Sequence, residues 1–227
     1  MKITLLTKEN EWGDKALTLA KIIFGAENIF LERGNRGDPL PNVGWSSRDA
    51  LISFLCPWII PKSLLSRFNV AINFHPASAD YPGIGCYNFA LYEGDSTYGA
   101  ICHHMVEKVD SGPIIEERRF PMMPDETVET LKFRTMVTLL AMFHDVLAGF
   151  ATTGSLPQSG ATWRGKARTR KELDALCVLT PDMLPEEVAR RVRATAYPGA
   201  PGAYIAHVTL GGVTFAADIY GNREPLA

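Results

Sequence analysis

Neither sign of charge dominates this chain: 23 lysines and arginines stand against 25 aspartates and glutamates, a formal net charge of −2. Such a balance gives no general attraction to a phosphate backbone, so nucleic acid is not an expected partner beyond contact with a local basic patch. Cysteine is scarce. Cys56, Cys86, Cys102 and Cys177 lack the paired spacing of a metal site and read as reduced thiols of a cytoplasmic protein. No apolar run reads as long enough to cross a bilayer, and Met1-Lys2 leads into a short strand-like run instead of a secretory leader, so no membrane partner is expected. Glycine is missing where it would be most telling. After the first apolar run, Lys8-Glu9-Asn10-Glu11 occupy the place of a dinucleotide-binding fingerprint and only Gly13 is present, which counts against a nicotinamide-binding domain.

What the chain does have is 46% hydrophobic residues over 227 positions, enough for the full core of one domain with a small appendage. Residues 2–7 form a strand-like run and 12–23 carry apolar positions at helical spacing, a βα start. A second strand is expected over 27–32. The breaker-rich loop 34–41 then reads as a surface excursion or a flap. Residues 50–55 are a buried strand running into Cys56-Pro57-Trp58-Ile59-Ile60-Pro61, and 62–67 a short helix. A helix over 87–92, strands over 98–106 and 114–119, and a long helix over 127–150 follow. In that helix Leu131, Met136, Leu139 and Leu147 make a core stripe. From Thr152 the composition shifts to glycine, proline and arginine. The basic run 163–171 is a solvated linker or a phosphate contact, a helix covers 184–194, and Gly211-Gly212 joins two arms, 204–210 and 213–220, as a hairpin. The expected fold class is α/β, a mostly parallel twisted sheet with a small C-terminal helix and β-hairpin extension.

Chemistry concentrates between Asn73 and Gly112. On a strand, Asn73 and His75 share one face, and Tyr81-Pro82-Gly83-Ile84-Gly85 dictates a tight loop that covers the strand's polar end. Val109-Asp110-Ser111-Gly112-Pro113 is a turn that exposes a carboxylate. His103 and His104 are adjacent, so they face opposite ways and cannot jointly chelate a metal. An amide, an imidazole and a carboxylate at element edges make the inventory of a polar catalytic site.

Asn73-X-His75, with Ser78 behind it and Asp110-Ser111-Gly112 further on, resembles the folate-dependent formyltransferases, which include glycinamide ribonucleotide, methionyl-tRNA and sugar N-formyltransferases. The loop carries one extra residue before Pro82. The resemblance implies a Rossmann-like catalytic domain over 1–151, followed by a linker helix and hairpin over 152–227. It implies transfer of a formyl group from N10-formyltetrahydrofolate to a small-molecule amine, with no metal. Asn73 would donate to the formyl oxygen, a contact whose loss costs about 3 kcal/mol. His75 would shuttle or electrostatically support the proton exchange, with Asp110 as its partner. The pterin slot falls to Leu55, Cys56, Pro57, Trp58 and Ile59 with Asp110. Lys8, Asn10, Tyr81 and Gly83 are the acceptor side, and His103 is a supporting residue. The linker motif of residues 193–203 and the hairpin resemble the sugar enzymes, and too few residues follow for the barrel of the tRNA enzymes, so a nucleotide-linked amino sugar leads. Another small amine, or water in a formyltetrahydrofolate hydrolase, are the alternatives. The hydrolase is disfavoured because the chain starts at strand one without a regulatory domain. Val208, Leu210, Val213 and Phe215 give the hairpin an apolar face, expected to lie on the catalytic domain or on a second subunit in a homodimer.

Overall fold

Ile3, Thr4, Leu5 and Leu6 are all fully buried, which makes the first strand one covered on both faces, as the interior of a parallel sheet requires. The computed structural model describes residues 1–41, 48–197 and 204–217. Parts of two sequence readings (the 193–203 linker and the hairpin's second arm) therefore fall on residues outside that set. The strands are β1 (Ile3–Lys8), β2 (Ile29–Gly34), β3 (Arg48–Phe54), β4 (Phe68–His75), β5 (Thr97–His104) and β6 (Ile114–Pro121). They lie in the order β2-β1-β3-β4-β5-β6. β1 pairs in parallel with β2 and β3, and β3 with β4. β4–β5 and β5–β6 are antiparallel, so the sheet is mixed, its parallel half carrying the N-terminal strands. The second strand starts two residues later than expected, because Ala26–Asn28 take one 3-10 turn first.

Helix α1 (Glu11–Phe24) begins at Asn10, whose side chain accepts from the Gly13 N–H, and stops at Gly25, whose φ of 86° is one that glycine takes freely. It lies beside α4 (Val128–Thr153) and both cover one sheet face. There Phe143 meets Phe54 and Phe74 at ring distances of 5.2 and 4.9 Å. By length and composition α4 passes the test for a membrane span, which corrects the reading that no apolar run is long enough. Burial explains its apolarity instead: Leu131, Met136, Leu139, Phe143, Leu147 and Phe150 lie in the core. The opposite face is covered by the short helix α2 (Lys62–Leu65), whose Leu64 and Leu65 pack on Leu6, Leu51 and Phe68, whereas α3 (Cys86–Glu93) packs beside α4 around Tyr98.

The C-terminal portion holds α5 (Arg170–Leu176), β7 (Val178–Leu179), α6 (Pro185–Thr195), β8 (His207–Leu210) and β9 (Val213–Ala216). Asn88 on α3 donates to the Ala194 carbonyl of α6 at 2.7 Å, so this portion is anchored to the main sheet's helix layer. The expected hairpin is present and gains a third strand, since β7 pairs in parallel with β8. Gly211 and Gly212 both have positive φ, 56° and 81°, as a two-residue hairpin turn needs.

Candidate active site

β1 has β2 on one side and β3 on the other, so chain connections diverge there and a crevice opens beyond the carboxyl ends of the parallel strands. Those ends line a cleft of about 450 Å³ together with the loop after β3 and the turn after β5.

Its floor is a four-residue polar cluster. Asn73 and His75 leave the end of β4, and His103 leaves β5 directly opposite Asn73. The register shifts between Cys102 and His103, where β6 carries the extra residue Ile115, an irregularity of the kind found beside sites. Asp110 follows in a turn with φ 46°, a left-handed conformation that a non-glycine residue keeps only when its surroundings hold it. Its two oxygens serve two histidines: Oδ2 is 3.5 Å from His75 Nδ1 and Oδ1 is 3.4 Å from His103 Nε2. The backbone N–H of Gly83 donates to Oδ2 at 2.9 Å. Burial alone would raise the Asp110 carboxyl; the charge of His75, the contacts of His103 and the Gly83 N–H outweigh it and hold the group well below the ordinary carboxylate range.

The hydrogen bonds fix the rings. His75 Nε2 lies 3.1 Å from the Tyr81 carbonyl, which only accepts, so Nε2 carries the proton and Nδ1 faces the carboxylate. His103 Nδ1 donates to the His104 carbonyl at 2.9 Å. Its Nε2 meets Asn73 Nδ2 at 3.1 Å, while Ser53 Oγ donates to Asn73 Oδ1 at 2.6 Å. With His103 neutral, Nε2 accepts from the Asn73 amide, which keeps a second N–H for the cleft.

Leu55, Cys56, Pro57, Trp58 and Ile59 line one wall of the cleft, joined by Met105 and Val106. Leu55 turns this loop with φ 57°. Trp58 is fixed by its indole N–H, which donates to the Asp38 carbonyl at 3.0 Å, and by Gly34, where an added Cβ would meet the ring at 2.3 Å. The Cys56 thiol is pushed up by burial to about 11, which makes it a packing residue and not a nucleophile.

Of the four residues expected on the acceptor side, the structure brings Lys8 and Gly83 to the cleft and places two differently. Asn10 is spent as the α1 cap, accepting from Gly13 N at 2.9 Å. The Tyr81 ring turns away into the packing around α3, its hydroxyl donating to Asp95 and Glu93; only its carbonyl reaches the site. The basic run, read as solvated or phosphate-binding, is instead largely consumed by carboxylates: Arg164 pairs with Asp80 and Glu117, Arg168 with Glu93, and Arg170 with Asp174. Arg36 and Tyr204 line the cleft as well and were not expected there. Arg36 donates to the Tyr204 hydroxyl at 3.1 Å, and Arg170 reaches the same oxygen while its guanidinium lies 4.3 Å from the ring centroid. Nothing local in Gly34-Asn35-Arg36-Gly37 or Tyr204 signals a contact 168 residues apart.

Residues 47–147 match the model of the formyl transferase family. The methionyl-tRNA formyltransferase of Listeria monocytogenes is 29% identical over 133 residues, 56% of this chain and 43% of the relative. The chain spans under half the length of the curated relatives it matches, from 36 to 44%. Among solved structures, a 4-N formyltransferase from Francisella tularensis superposes with a TM-score of 0.77, covering 95% of this chain and 96% of that one at 17% identity. The N-formyltransferase from Helicobacter canadensis, in complex with folinic acid and dTDP-3-aminofucose, gives 0.71 at 13% identity, covering 93% and 85%.

Proposed function

We propose that the protein transfers a formyl group from N10-formyltetrahydrofolate to the primary amine of a nucleotide-linked amino sugar. The observation that carries the reaction is the pairing of one Asp110 carboxylate with both His75 and His103, next to an Asn73 amide held by Ser53. The donor fits the cleft: its volume is that of a site for a drug-sized ligand, and its wall of Leu55, Pro57, Trp58, Ile59, Met105 and Val106 is the apolar slot a pterin ring needs. Bound there, the donor supplies an activated formyl group.

The chain's own residues supply the rest. The free N–H of Asn73 stabilises negative charge developing on the formyl oxygen, in a site where a fixed donor is worth more than in water. His103 Nε2, which shares its contacts between Asn73 and Asp110, takes or returns the proton that leaves the amine. His75, with Nε2 on the Tyr81 carbonyl and Nδ1 on Asp110, gives that exchange electrostatic support. Asp110 steadies whichever imidazole is charged.

The acceptor class rests on Lys8 and Arg36. Burial, then the neighbouring charges of Lys132 and Arg36, lower the Lys8 pKa. Among the described residues, neither Lys8 nor Arg36 has an ion-pair partner. Lys8 ends a strand two positions from β4 in the sheet, about 10 Å at the usual strand spacing, a distance a sugar ring and its phosphate can bridge. The complex of the Helicobacter canadensis protein with dTDP-3-aminofucose supports the same class. The test is to incubate the protein with N10-formyltetrahydrofolate and amines in parallel, measuring formate and formamide separately. A nucleotide-linked amino sugar is expected to give formamide and tetrahydrofolate with little free formate. Rapid formate release that no amine accelerates would establish a hydrolase, and acceleration by small free amines alone would replace the acceptor class.

A further inference from the structure

The segment from Ala161 to Arg168 comes from the C-terminal third of the chain, yet it is laced to the loop that follows His75. Arg164 N and Gly165 N donate to the Ala79 carbonyl at 2.9 and 3.0 Å, Arg168 N to the Pro82 carbonyl and Ile84 N to the Arg168 carbonyl, both at 3.1 Å. Arg164 holds Asp80 and Glu117 at 2.7 and 2.6 Å, and Glu117 in turn accepts from Ala79 N at 3.0 Å. The approach is close enough that a Cβ at residue 165 would meet the Asp80 carbonyl at 1.7 Å, so only glycine lets the two chains touch.

Within this segment Trp163 points inward. Its ring centroid is 5.1 Å from that of His103 at 82° and 6.2 Å from that of His75 at 62°, both edge-to-face contacts. The indole N–H donates to the Gly112 carbonyl at 2.7 Å, and the ring body packs with Ala79, Ile101 and Ile114. One side chain therefore touches both imidazoles and ties down the turn that carries Asp110, whose left-handed backbone needs such a tie. The opposite anchor of the turn is steric: a Cβ on Gly112 would lie 1.9 Å from the His104 carbonyl.

We infer that Trp163 is a positioning residue for the transfer: it wedges His75 and His103 against Asp110 and pins the Asp110–Gly112 turn, without lining the cleft itself. The inference rests on the formyl-transfer reading of the site. In that reaction the wedge sets imidazole placement to a fraction of an ångström, and a misplacement near 1 Å costs on the order of 10²-fold in rate. W163A should therefore lower kcat by about that factor, while KM for N10-formyltetrahydrofolate and for the amine changes less than about twofold, because neither touches the indole. W163F keeps a ring but loses the donor to Gly112, and an intermediate loss of about tenfold is expected, the scale of one hydrogen bond.

A readout independent of turnover accompanies the kinetics. The Cε1–H signals of His75 and His103, assigned in H75Q and H103Q variants, should lose the indole's ring-current shift in W163A, with His103 moving more because it is nearer. If the wild-type protein transfers formyl groups and a folded W163A or W163F keeps its kcat, or loses only KM, the positioning role is wrong. The same holds if the histidine signals do not move. If the wild type transfers nothing to any amine, the formyl-transfer reading fails instead, and the histidine signals still report on the wedge.

Discussion

The backbone N–H of Gly83 donates to the Asp110 carboxylate across 27 residues of sequence, and it does so from a glycine with φ 88° whose Cβ would strike the Arg168 carbonyl at 2.5 Å. The carboxylate is thus oriented by chain that no other residue type would allow so close. D110N keeps the shape but presents an amide to one of the two histidines, and the kcat of formyl transfer should fall on the order of 10²- to 10³-fold with the fold intact. Steady-state kinetics with circular dichroism on the same sample checks this; near-native turnover would remove Asp110 from the reaction.

The depressed Asp110 carboxyl makes a statement about acid stability. A group whose folded pKa lies below its unfolded value stabilises the protein above the unfolded value, near 3.9 for aspartate, and that contribution is lost as pH falls towards the folded value. The difference in Tm between wild type and D110N should hold through the neutral range and shrink below about pH 4. A gap that stays constant down to acid pH would contradict the ionised pairing with His75 and His103.

Arg36 is the cleanest probe of the acceptor, because its side chain lines the cleft while its only partner among the described residues is the Tyr204 hydroxyl. R36Q should raise KM for the nucleotide sugar about tenfold, the worth of one charge-assisted contact, and leave KM for the folate donor unchanged. Equal effects on both substrates would place Arg36 on the donor side.

Phe143 is fully buried between Phe54 and Phe74 and does not line the cleft. F143A should cost about 3–5 kcal/mol in urea unfolding, and the fraction that remains folded should turn over normally. A loss in kcat per folded molecule would show that the strand ends move with this core.

Leu210, Val213 and Phe215 are each at least half exposed, so the catalytic domain does not cover these three. Replacing Leu210 and Phe215 by serine should reduce a dimeric mass by half in light scattering; a monomeric wild type would end the assembly role.

The sequence made Asn73 and His75 legible because strand alternation alone puts them on one face, and Asp110 because its turn residues bracket it. Asn10 was misassigned because the residue type that contacts ligands also caps helices, and spacing does not tell the two apart. Tyr81 was misassigned because its carbonyl, not its ring, does the work, and a sequence names side chains only. The parallel half of the sheet followed from buried apolar runs. The bulge beside His103 is a matter of register between β5 and β6, which no single strand encodes. Arg36, Trp163 and Tyr204 reach the site through contacts 51 to 168 residues long, beyond any local pattern.

The lacing of residues 161–168 onto the His75 loop also orders events during synthesis. All six strands of the main sheet end by Pro121, so a growing chain emerging N-terminus first can complete its sheet well before the indole that wedges the histidines has been made. A chain at that stage already carries Asn73, His75, His103 and Asp110 but not the indole that packs against both imidazoles. On the proposed reading the site is therefore set late, by a segment that does not itself line the cleft.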